Sequence, residues 1–242
     1  MYLNAIERTG GDFAGEDSYL QDIPAIKGLS LLELRQPVTF LVGENGSGKS
    51  TLLEAVALAL GFNPEGGSRN FAFSTRDTHS GLYNYLRLHR GPYRPKDGFF
   101  LRAESFYNTA TEVEELSKRS LSAPPEEFYR NYGGKSLHHQ SHGESFLSLV
   151  HNRFRGEGIY LLDEPENSLS PAKQQELVKF IEDSARFFGC QFVIATHSPF
   201  VLAIRGAKIY DLDEEPVDVK RWTELENVRA YYDFFKKHAS EF

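Results

Sequence analysis

The eight residues Gly43-Glu44-Asn45-Gly46-Ser47-Gly48-Lys49-Ser50 constrain this chain more than any other stretch. They fit GxxxxGK[ST] at every fixed position. They stand between Val38 to Val42, an apolar run that reads as a buried strand, and Leu52 to Leu60, where apolar residues recur at helical spacing. Strand, glycine-rich turn and helix in that order form a phosphate cradle. The glycines let the backbone curl so that successive N–H groups point inward, and the helix start adds its positive dipole end at the same place. In such a cradle Lys49 reaches the β- and γ-phosphates and the Ser50 hydroxyl is a ligand of Mg²⁺. The expected nucleotide contacts are Gly43, Asn45, Gly46, Ser47, Gly48, Lys49, Ser50 and Thr51.

The chain around this loop is long enough, at 242 residues, for one large α/β domain over residues 1–242. Its 40% apolar and 25% charged residues suit a water-soluble globular protein, and the lone Cys190 excludes an internal disulfide framework. The N-terminal residues lack the basic start, apolar core and small-residue cleavage site of a secretory leader, and no window approaches a membrane-spanning length of apolar residues. The cytoplasm is the expected compartment, with no membrane insertion. A net charge of -7 argues against coating nucleic acid by bulk attraction.

Upstream of the loop, Tyr2 to Ile6, Ile23-Pro24-Ala25-Ile26 and Leu29 to Leu34 alternate with glycine and read as an antiparallel meander. Phe13 and Tyr19 lie where an aromatic ring either stacks on an adenine or fills the core. Tyr83 to His89 and Phe99 to Ala103 read as the two strands of a hairpin joined by a turn-rich segment. Basic residues interleaved with tyrosines there suit either a solvated strand face or a binding surface. Thr109 to Ser120 carries a capping pattern and charges that match a helix dipole, and 121–134 reads as a loop. Gly143 to Phe154 has helical spacing. Gly158 to Leu162 and Gln191 to Thr196 are buried strands on either side of an amphipathic helix, Pro171 to Gly189. Ala207 to Leu212 is a further strand, followed by a C-terminal helix around Glu224 to Lys237.

Three strands therefore end at Gly43, at Asp163-Glu164 and at His197. Open α/β sheets bind their ligands at such carboxyl ends. Asp163 supplies the carboxylate that an Mg²⁺–nucleotide needs near Ser50, and Glu164, one residue further, is placed to polarise a water for in-line attack on the γ-phosphate. His197 is placed to hydrogen-bond the γ-phosphate and that water. Ser141-His142-Gly143 offers a hydroxyl and free N–H groups at a second helix start with no second phosphate loop beside it, which suggests a dimer whose subunits exchange this segment. His138, His139 and His142 lack the Cys partners of a zinc site.

These residues resemble the ATP-binding cassette ATPases, and within them the soluble SMC/RecF-like branch of small bacterial AAA-family ATPases. Gly43 to Ser50 is similar to the Walker A loop and Gly158 to Glu164 to Walker B with its catalytic glutamate. Asn167-Ser168-Leu169-Ser170 falls where the D-loop lies, and His197 matches the switch histidine. Gln140 to Glu144 resembles the signature motif, with His142 and Glu144 departing from Leu-Ser-Gly-Gly-Gln while Ser141 and Gly143 are retained. Glu104 stands where the Q-loop glutamine belongs and is a further candidate metal ligand.

The resemblance implies an α/β P-loop fold of ABC-ATPase type, with a mostly parallel central sheet, an antiparallel β subdomain and a helical signature region at about 105–155. It also implies Mg²⁺-dependent hydrolysis of ATP, with Lys49, Glu164 and His197 catalytic. An ATP-dependent head-to-tail homodimer would act as a switch on DNA or a protein partner, with Ser141 and Gly143 in trans. The alternative is the nucleotide-binding subunit of an ABC transporter with a separate permease. Glu104 and Thr196-His197-Ser198-Pro199 favour the first. The stretch between Thr51 and Ser141 is too short for a long coiled coil.

Overall fold

A computed structural model describes residues 1–64, 66–67, 80–103, 106, 142–154 and 156–242. The expected helix Thr109 to Ser120, the loop 121–134, and Glu104, His138, His139 and Ser141 lie outside the described residues, and the side chain of His142 is likewise not described.

The strands are β1 (Leu3–Arg8), β2 (Leu31–Glu33), β3 (Val38–Val42), β4 (Leu86–Arg90), β5 (Asp97–Arg102), β6 (Gly158–Asp163), β7 (Gln191–Ala195), β8 (Lys208–Asp211) and β9 (Asp218–Val219). The helices are α1 (Pro24–Lys27), α2 (Lys49–Leu60), α3 (His142–Arg153), α4 (Pro171–Phe187), α5 (Pro199–Leu202) and α6 (Glu226–Lys237). The large sheet has the order β5-β6-β7-β3-β8-β9, and a small one the order β2-β1-β4. All pairings from β5 to β8 are parallel, β9 is antiparallel to β8, and the small sheet is antiparallel throughout. This is the expected mostly parallel sheet with an antiparallel β subdomain.

The central strands are buried along their whole length because both faces are covered. On one face Phe40, Val42, Leu101, Tyr160, Leu162, Phe192 and Ile194 pack against α3 and α4 through Phe146, Leu149, Leu177 and Ile181. On the other, Leu41, Phe100, Leu161, Val193 and Ala195 pack against Leu52, Leu53 and Val56 of α2 and against Leu3, Ile6 and Leu32 of the small sheet. Period-two alternation thus sends neighbouring residues to two cores. The buried Gln191 side chain joins the sheets: Oε1 accepts from the Tyr2 and Leu3 N–H groups at 2.8 and 3.0 Å, and Nε2 donates to the Leu3 and Leu34 carbonyls at 2.6 and 2.8 Å.

Three expected local features differ. Tyr83 to Tyr85 end a 3-10 segment, and the strand expected from Tyr83 begins at Leu86. Ile23 to Ile26 is not a strand of a meander: Pro24 opens the short helix α1, and residues 15–22 form a 3-10 segment before it. The strands at Leu86 and Asp97 do not form a hairpin, because β4 pairs with β1 in the small sheet while β5 pairs in parallel with β6. Turn chemistry between two strands is compatible with either outcome, and the apolar face of β5 decides it by finding the main core.

Candidate functional site

The glycine loop leaves β3 and turns through positive φ at Gly43, Gly46 and Gly48, with φ of 153, 85 and 99 degrees. At Gly48 the space is closed as well, since a Cβ would come within 2.3 Å of Ile23 Cγ2. The Ala25 N–H donates to the Ser47 carbonyl at 2.9 Å, so α1 braces the loop from outside. Lys49 is buried and donates from Nζ to the carbonyls of Gly43 and Glu44 at 2.8 and 2.9 Å. Burial pushes its pKa below the ordinary lysine value, against the pull of the carboxylates of Glu164, Asp213, Asp163 and Glu44.

β3, β6 and β7 lie side by side in parallel, so their carboxyl ends meet. The Ser50 hydroxyl donates to Asp163 Oδ1 at 2.9 Å. Arg102, which follows from the register Arg102↔Asp163, places Nε 3.6 Å from Asp163 Oδ2 and Nη1 2.6 Å from Glu54 Oε2. A serine hydroxyl and a carboxylate of this kind are hard oxygen donors and fit Mg²⁺. Glu164 has positive φ, 49 degrees, and its N–H is held by the Ala195 carbonyl at 2.9 Å. Its carboxylate accepts from Asn167 Nδ2 at 2.7 Å through Oε2, while Oε1 stands 3.7 Å from His197 Nε2. That separation is longer than a hydrogen bond. Ser47 Oγ and His197 Nε2 are buried without a hydrogen bond among the described residues, as suits atoms that face a ligand.

The parallel sheet thus brings Lys49, Ser50, Asp163, Glu164 and His197 together. Glu104 and Ser141 lie outside the described residues. Gly143 is buried at the start of α3, where a Cβ would meet the Ser168 carbonyl at 2.9 Å. Phe13 is core, edge-on to Tyr85 with ring centres 4.7 Å apart and under the Arg8 guanidinium, whereas Tyr19 is exposed. Arg87 and His89 face Glu7 across the small sheet, so that part of the basic and aromatic stretch is a charge-balanced strand face.

Three residues with no role in the sequence reading shape the site. Asp213 Oδ2 accepts the Glu44 N–H at 2.7 Å. Glu166 Oε1 accepts the His197 and Ser198 N–H groups at 2.6 and 3.2 Å. Asn227 of α6 donates to the His197 carbonyl at 2.9 Å. Asp213 and Glu166 each follow a strand end closely, which was the available signal; nothing local distinguished Asn227.

Comparison with known families and solved structures bears on the fold. Residues 19–131 match a family model described as "AAA domain", and residues 145–203 match one described as "AAA domain, putative AbiEii toxin, Type IV TA system". Among curated relatives, the lipoprotein-releasing system ATP-binding protein LolD of Maricaulis maris is 28% identical over 82% of this chain and 87% of its own length. Among solved structures, cbiO1 of Clostridium perfringens, part of the ABC transporter complex cbiONQ, aligns with a TM-score of 0.54 at 16% identity, covering 98% of this chain and 94% of its own. An SMC head bound to the C-winged helix domain of ScpA aligns with a TM-score of 0.50 at 15% identity, covering 95% of this chain and 100% of its own.

Proposed function

We propose that this chain, an AAA-class ATP-binding ATPase with the ABC-type P-loop fold, hydrolyses ATP with Mg²⁺ through Lys49, Ser50, Asp163, Glu164 and His197, and that ATP drives its dimerisation. The observation that carries the reading is the meeting of a Ser50–Asp163 pair, a buried lysine and a Glu164–His197 pair at the carboxyl ends of adjacent parallel strands. The loop N–H groups and Lys49 would hold the β- and γ-phosphates. Nζ would exchange the Gly43 and Glu44 carbonyls for phosphate oxygens. Ser50 and Asp163 would hold Mg²⁺, which supplies charge neutralisation on the β- and γ-oxygens. Glu164, kept in orientation by Asn167, would accept a proton from the attacking water, and His197 would donate to the γ-phosphate.

The Ser141-His142-Gly143 sequence, read as a second anion-binding segment, supports a head-to-tail dimer in which each subunit offers it to the other's nucleotide. DNA or a protein partner would then read the closed dimer. The name of the LolD relative favours a second reading, an ATPase subunit serving a separate permease chain. No described helix is long and apolar enough to cross a membrane.

The test is Glu164→Gln with ATP and Mg²⁺, measured for phosphate release and molar mass. Loss of turnover with accumulation of a dimer is expected. Wild-type turnover would overturn the assignment of the base, and a monomer at saturating ATP would overturn the switch. Capture of nucleic acid against capture of a membrane permease by the trapped dimer separates the two readings.

A further inference from the structure

We propose that Glu166 is a positioning residue for His197, fixing the turn that carries the imidazole so that the ring stands opposite Glu164; the inference rests on the catalytic reading of His197 above. The geometry is specific. One carboxylate oxygen, Glu166 Oε1, receives two consecutive backbone N–H groups, from His197 at 2.6 Å and from Ser198 at 3.2 Å. Its second oxygen is buried and makes no hydrogen bond among the described residues, so the group spends its acceptor capacity on this turn. Hydrogen bonds from N–H groups to an ionised acceptor are the stronger class.

Capping does not account for this contact. Helix α5 already has its own cap, since the Ser198 hydroxyl accepts the Val201 N–H at 3.3 Å and donates to Gln174 Oε1 at 2.6 Å. Glu166 acts one step upstream, on the peptide of His197 itself. The carbonyl of the same residue is held from the other side by Asn227 at 2.9 Å. His197 therefore has its main chain fixed at both polar groups, while ring Nε2 makes no hydrogen bond among the described residues and stands 3.7 Å from Glu164 Oε1. A fixed backbone beneath an uncommitted ring is what preorganised catalysis requires.

The neighbouring residue repeats the logic. Asn167 Nδ2 holds Glu164 Oε2 at 2.7 Å, so the short turn Pro165–Ser168 reaches one side chain to the water-polarising glutamate and the next to the histidine turn. The spacing of the two reacting groups is set by one piece of chain. Because a misplacement near 1 Å can cost on the order of a hundredfold in rate, such a brace has catalytic weight without touching substrate.

The experiment is a double-mutant cycle of Glu166→Ala and His197→Ala, read as kcat and KM for ATP with Mg²⁺. Expected results are a fall in kcat of about 10–100-fold for Glu166→Ala with KM for ATP nearly unchanged, and no further loss when it is added to His197→Ala. Glu166→Gln, which keeps the Oε1 acceptor, should restore most of kcat. A Glu166→Ala loss of equal size in the His197→Ala background would overturn the positioning role while leaving His197 catalytic. Wild-type kcat in His197→Ala would overturn the reading of the histidine itself, and this inference with it. Should Glu166→Ala fail to fold, Glu166→Asp, which withdraws the acceptor by one methylene, takes its place in the same cycle with the same expected pattern.

Discussion

The Ser50 hydroxyl and the Asp163 carboxylate, 113 residues apart in sequence, meet in a 2.9 Å hydrogen bond at the mouth of the glycine loop. If this pair holds Mg²⁺, Ser50→Ala should raise the Mg²⁺ concentration for half-maximal turnover by roughly 10–100-fold, the range for a disturbed metal environment. Metal-free ATP affinity should change far less. A Mg²⁺ titration with an unshifted midpoint would remove Ser50 from the metal site.

Lys49 makes a pH-dependent prediction. Burial lowers its pKa, whereas bound phosphates would raise it. Binding is then strongest while Lys49 is charged in both states. Affinity falls as pH rises through the free protein's pKa, and this fall begins below the ordinary lysine range. ATP titrations across the alkaline range should show that decline in the wild type and not in Lys49→Met, which should bind weakly throughout.

Glu164→Gln preserves the size of the side chain and its contact with Asn167 while removing the proposed base. Turnover should fall by about 10²–10⁴-fold with ATP affinity retained. Equal losses in kcat and in ATP affinity would point instead to a role in binding.

Gly48→Ala places a methyl at positive φ and against Ile23, 2.3 Å from its Cγ2. The backbone and packing costs together are about 2–4 kcal/mol. Chemical denaturation should show a lowered midpoint. An unchanged midpoint would mean that α1 moves aside without cost.

Gln191→Ala would leave the Tyr2 and Leu3 N–H groups and the Leu3 and Leu34 carbonyls without the partner that they share. A stability loss of about 2–4 kcal/mol is expected. Hydrogen exchange should rise first in β1. Uniform exchange across both sheets would show that the side chain does not couple them locally.

Strands β3, β6 and β7 were legible because buried parallel strands are near-continuous apolar runs, and the loop after β3 carries its own glycine code. The residues at the tips of those strands followed from that reading. The partition of β4 and β5 between two sheets was not legible, since it depends on which core each apolar face finds. Arg102 is a case in point: grouped by composition with a basic stretch, it lies partly buried beside Glu54 and Asp163. Glu166, Asp213 and Asn227 act through main-chain groups of residues distant in sequence, and hydrogen bonds to a backbone leave no pattern in side-chain types.

The strand order also governs when the site comes into being. β3 leaves the ribosome before both of its neighbours in the sheet, β7 and β8. Pairing Phe40 with Ile194 and Ile209 closes long stretches of chain, and such closures are slow and come late. A nascent chain therefore exposes the glycine loop well before Asp163, Glu164 and His197 can reach it. In the proposed function, nucleotide hydrolysis would become available only to a finished sheet, and its onset during refolding would time the docking of β7 and β8 beside β3.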